Sequence, residues 1–76
     1  MATAHREAGF TFRVWSNDHD PAHVHAWKGG EVAVVNLSPV SVRGVRGMKP
    51  SDVARAVAIV DANQDKMLQV WRDTHA

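Results

Sequence analysis

Between Ser16 and His25 the chain reads SNDHDPAHVH, and three of its five histidines fall in the seven positions from His19 to His25. His23 and His25 are separated by Val24 alone. On an extended strand side chains alternate, so this pair leaves from one side, close enough to share a metal ion or to act together as acid and base. Asp18, His19 or Asp20, in the segment just before, would complete a ligand set with His23 and His25, and His-x-His with a carboxylate suits a divalent transition metal such as zinc, nickel or iron. Without a metal, one imidazole can accept the proton of a 2′-hydroxyl while the other donates to the leaving oxygen, and Arg13 or Arg43 can hold the phosphate. Trp15 and Trp27 have faces on which bases can stack. The same residues also compose an ordinary polar sheet face. Tryptophan is common at interfaces, isolated arginines are usually solvated, and Asp18 has the chemistry to cap its own turn. Metal ligation, acid–base or RNA contact, and a plain structural role are three readings of one stretch.

The elements that must carry these residues follow from the hydrophobic period. Phe10, Phe12 and Val14 alternate with Thr11, Arg13 and Trp15, the mark of a half-buried strand. Asn17 to Pro21 interrupts it with turn-forming residues. A second strand spans His23 to Lys28 and a third Glu31 to Leu37, with Gly29-Gly30 between them as a two-residue hairpin loop. Val40 to Val45 is short enough for a fourth strand, with Gly44 and Gly47 marking a bulge or its exit. From Pro50 the period becomes helical, through Val53, Val57, Val60, Met67 and Trp71. Proline suits a first helical turn, and Asp52 complements the positive end of the helix dipole. One helix from about 50 to about 74 is expected, with Asp61-Ala62-Asn63 as the place for a kink.

The hairpin assigns faces. With Gly29 and Gly30 as the loop, Lys28 opposes Glu31, Trp27 opposes Val32, and the ladder continues to His23 opposite Asn36. Val24, Ala26, Ala33, Val35 and Leu37 then form an apolar face that receives the helix. Arg13, Trp15, His23, His25, Trp27, Asn36 and Arg43 are expected on the other, more accessible face. His5 and His75 lie near the ends of the chain and carry no argument.

Composition bounds the function. Seventy-six residues, 45% of them apolar, make one domain (1–76) of α+β class: a three- to four-stranded antiparallel sheet over about 9–46, with one long C-terminal helix on one face. So small a core leaves room for a metal, a partner chain or a homo-oligomer to add stability. There is no cysteine and no run of 18 apolar residues. The opening MATAHREAG has no signal-peptide pattern, so a cytoplasmic location is expected. A net charge of +1 restricts any nucleic-acid contact to a local arginine cluster. There is no phosphate-binding glycine loop, no paired glutamates at useful spacing, and no Ser/His/Asp set.

Taken in order, Gly9-Phe10-x-Phe12, Ser16-Asn17-Asp18, Pro21-x-His23-Val24-His25, a Gly-containing turn, Gly47, and a long helix with Asn63 and Trp71 resemble a known bacterial pattern. The chain is similar over about residues 9 to 74 to the family called domain of unknown function 4160. It departs from that pattern at Ala22, where a second proline is usual, and at Lys49-Pro50, where the helix commonly opens with serine. The resemblance implies a small sheet with a C-terminal helix. It also implies the toxin member of a toxin–antitoxin pair, with a cognate small antitoxin as partner. On that reading the histidine and arginine face would act on RNA or translation, and the alternative is a non-catalytic module that uses the same face, with or without a metal, to dock a protein.

Overall fold

The computed structural model describes residues 2–76. Five antiparallel strands, β1 (Ala2–Glu7), β2 (Phe10–Val14), β3 (His23–Lys28), β4 (Glu31–Leu37) and β5 (Val40–Arg46), lie side by side in chain order. Helices α1 (Pro50–Ala62) and α2 (Gln64–Thr74) pack on one face. The fold is therefore α+β.

The β3–β4 register is the one that Gly29-Gly30 implies, with Lys28 opposite Glu31 and His23 opposite Asn36. Gly29 takes φ +61°, a conformation the tight hairpin needs and an L side chain resists. Because opposed residues share a face, Val24, Ala26, Ala33, Val35 and Leu37 are gathered on one side and fully buried. Phe10, Phe12 and Val14 join them, and the helices cover the face with Ala56, Ile59, Val60, Met67 and Trp71. Burying a side chain the size of valine or phenylalanine contributes about 1.5–3 kcal/mol, so this layer is the main source of stability.

Two expectations change. The sheet has five strands, not three to four, because Ala2–Glu7 pairs with β2 around a two-residue loop at Ala8 and Gly9. Both loop residues have positive φ, +52° and +82°, the geometry that matches the twist of the flanking strands. Ala8 is a poor sequence signal for that geometry, which usually draws asparagine or aspartate. The single long helix is also interrupted. Asn63, at φ −123° and ψ 22°, leaves the helical region, and its side-chain amide donates to the Ile59 carbonyl at 2.8 Å. The break lets α1 lie over β4 and β5 while α2 crosses toward β1 and β2. Next to it, Gln64 Nε2 donates to the Leu37 carbonyl, tying the start of α2 to the end of β4.

On β5 the ladder pairs Val34 with Gly44 and then Val35 with Val42, which leaves Arg43 as the extra residue of a bulge. Val42 opposes Val35, yet at the sheet's edge it stays 46% exposed. No described helix is long and apolar enough to cross a membrane.

Candidate metal centre

The centre forms at one end of the sheet, where β2 leaves and β3 enters. The Asp18 amide donates to the Trp15 carbonyl at 3.2 Å, closing a turn over Trp15-Ser16-Asn17-Asp18. The turn carries the Asp18 side chain back over the strand ends. There Asp18 Oδ2 stands 3.1 Å from His25 Nε2 and 3.2 Å from His23 Nε2. One ligand atom from each of Asp18, His23 and His25 falls within 4.8 Å of the others. Ligand atoms around a tetrahedral zinc are about 3.3 Å apart, so both carboxylate-to-imidazole spacings match that edge. A cluster of this composition and spacing is consistent with a divalent metal site. His19 is not in it: its side chain is exposed and borders a shallow cleft with Asp20, Trp71 and His75.

The two imidazoles are not equivalent. His25 opposes Val34 and is half-buried, with the edge of Trp15 against it at 6.1 Å between ring centroids. His23 is 4% exposed, which corrects the expectation that both would be solvent-facing. It is the first residue of β3, and what closes over a strand end is not set by strand alternation. Trp71 of α2 comes to 5.1 Å from its ring, His25 lies at 5.4 Å, and Arg43 reaches it from β5. Trp71 stacks in turn on His75 at 4.0 Å, and a His75 ring nitrogen lies 3.0 Å from the Asp18 carbonyl. His75 therefore helps to hold the turn that positions Asp18. Its place near the chain end hid this role.

The second nitrogen of His23 has two possible partners. Nδ1 is 2.8 Å from the Pro21 carbonyl, an acceptor, and 2.9 Å from Arg43 Nη1, a donor. A ring nitrogen satisfies one of these at a time. In one tautomer Arg43 donates to Nδ1 and Nε2–H donates to Asp18. In the other Nδ1–H donates to Pro21, and the Nε2 lone pair faces the carboxylate. The second is the tautomer of a metal-bound histidine, with a backbone carbonyl fixing the ring from behind.

Arg13 lies directly across from His25 in the β2–β3 ladder, so the structure brings it and Arg43 to the histidine pair. Trp27 sits farther along the same face, opposite Thr11 and Val32. Three polar atoms on this face, Arg13 Nε, Trp27 Nε1 and Asn36 Oδ1, are withdrawn from solvent with no hydrogen-bond partner among the described residues.

A family model described as "Domain of unknown function (DUF4160)" matches residues 9–72, a span that holds the whole cluster. The chain belongs to this family. A search of the curated proteins and a search of the solved structures gave no match.

Proposed function

We propose that the chain is a metal-binding interaction module, working in the cytoplasm, in which Asp18, His23 and His25 hold one divalent transition metal and the surrounding sheet face docks a partner protein. The observation that carries this reading is the meeting of a carboxylate oxygen with two imidazole nitrogens at 3.1 and 3.2 Å, with a carbonyl behind His23. Two imidazoles and one carboxylate form a borderline donor set suited to zinc, nickel or iron, and unsuited to calcium or magnesium, which prefer all-oxygen shells. The metal would tie the ends of β2 and β3 together and add stability that a core of this size needs. Arg13, Trp15 and Trp27 on the half-buried outer face are residue types enriched at protein interfaces.

The test is direct. Protein purified without chelator should hold about one transition metal per chain. Zinc at about a hundred times its dissociation constant should add ~2.7 kcal/mol, raising Tm by roughly 10–20 °C for a domain of this size. His25→Ala should abolish both effects. Metal at background level, with no shift on added zinc, nickel or iron, would eliminate the reading.

A second reading, the toxin of a type II toxin–antitoxin pair acting on RNA or translation, is supported by the placing of Arg13 and Arg43 beside two histidines. Expression of the chain alone should then slow bacterial growth, and a small neighbouring gene product should relieve the arrest. Growth untouched by the wild-type chain would sink it. Arrest that persists in a folded His23→Ala/His25→Ala variant would detach it from this site.

A further inference from the structure

The metal-binding reading has an electrostatic consequence at the same site. Three protein ligands leave a coordination position free for an outside group. A divalent ion would outweigh the single carboxylate of Asp18, and two guanidinium groups add to the excess. Neither Arg13 nor Arg43 is paired with a carboxylate among the described residues. Arg43 has His23 Nδ1 as its partner, and would lose it when that nitrogen carries its proton toward Pro21, as metal ligation requires. Arg13 Nε is already without a partner.

The approach is asymmetric. The Asp18 and His25 side chains are 23% and 22% exposed against 6% for His23, so an outside ligand meets the metal from the side that Arg13 flanks across the ladder.

Resting on that reading, we infer that the metal centre takes a phosphate oxyanion, free or at the end of a phosphomonoester, with Arg13 and Arg43 as its protein clamps. A phosphomonoester has three unesterified oxygens, and free phosphate four, to divide among a metal and two guanidiniums, whereas a carboxylate has two. A polymer backbone is the poorer fit. The chain's net charge is +1 and the arginines at this site are two, far from the extended basic track that holds a nucleic-acid strand.

The experiment loads the full chain with Co(II), whose visible absorption reports its ligand shell. It then adds inorganic phosphate, a nucleoside 5′-monophosphate, or a single-stranded oligoribonucleotide lacking terminal phosphates. Phosphate and the monophosphate should shift the cobalt spectrum saturably, and the oligonucleotide should not at matched phosphate concentration. Arg13→Gln and Arg43→Gln should each weaken phosphate binding about tenfold or more while keeping the phosphate-free cobalt spectrum. If Arg43→Gln disturbs that spectrum through His23, Arg13→Gln decides. A cobalt spectrum that phosphate leaves unmoved overturns the inference and spares the metal reading. So does a phosphate shift unchanged in Arg13→Gln, or tighter binding of the oligonucleotide than of the monophosphate. Failure to take up cobalt, zinc, nickel or iron removes both.

Discussion

The two faces of the sheet come from the same alternating strands and are built to opposite rules. On the helix side Phe12, Val14, Val24, Ala26, Ala33, Val35 and Leu37 are completely buried and bear no side-chain polar atoms. On the other side Thr11, Arg13, His25, Trp27 and Val34 are half-buried, and Arg13, Trp27 and Asn36 each bear a withdrawn polar atom without a partner. An unpaired buried donor or acceptor costs about 1–3 kcal/mol. Stability therefore resides in one face. The other carries a polar cost, and the Asp18/His23/His25 cluster sits where the two faces meet at the sheet's end. Regions that break the rules of good packing are where function is to be sought.

The contrast can be broken most sharply at Phe12. Phe12→Ala should cost about 3–5 kcal/mol, a large share of the stability of so small a domain, measured as a lower urea midpoint. A midpoint close to wild type would mean that the helix face is not the stabilising one. The histidine pair comes next. His23→Ala should destabilise the metal-free protein by about 1–3 kcal/mol, because its ring is buried against Trp71, whereas His25→Ala should cost about 1 kcal/mol or less. Equal losses in chelator-treated samples would contradict the burial difference between the two rings. Smallest is Lys28, whose Nζ lies 3.3 Å from Asp52 at the start of α1 and above the Phe10 ring. The Lys28 side chain is 40% exposed, so Lys28→Met should cost about 0.2–1 kcal/mol, with the loss fading as salt is raised. A salt-independent loss would point to packing of the lysine stem on Phe10.

How far each part could be read from the chain follows the same division. The core face was legible, because strand alternation and the Gly29-Gly30 turn act over a few residues, and six predicted cross-strand pairs from His23–Asn36 to Lys28–Glu31 occur as expected. The family resemblance was legible too, carried by the block from Ser16 to His25. The site was legible only as a set of candidates. His-x-His spacing put two imidazoles on one side, but choosing Asp18 over His19 depended on a turn closed by the Trp15 carbonyl.

The rest lay beyond any local signal. Strand β1 formed around Ala8, a residue with little turn preference, and the chain marked Asp61-Ala62-Asn63 only as a place for a kink, while the helical period running on to Trp71 favoured one helix over the full break at Asn63. The burial of His23 required Arg43, 20 positions away, to arrive on a bulge, and Trp71 to come across from a separate helix. The Asp18 turn is met by His75 over a separation of 57 residues. Periodicity and turn chemistry are properties of neighbouring residues, so alternation and hairpin register are written in the chain. The surroundings of a strand end are made by segments that meet after the chain has closed on itself, and that is why the same two histidines became one buried and one half-buried member of the cluster.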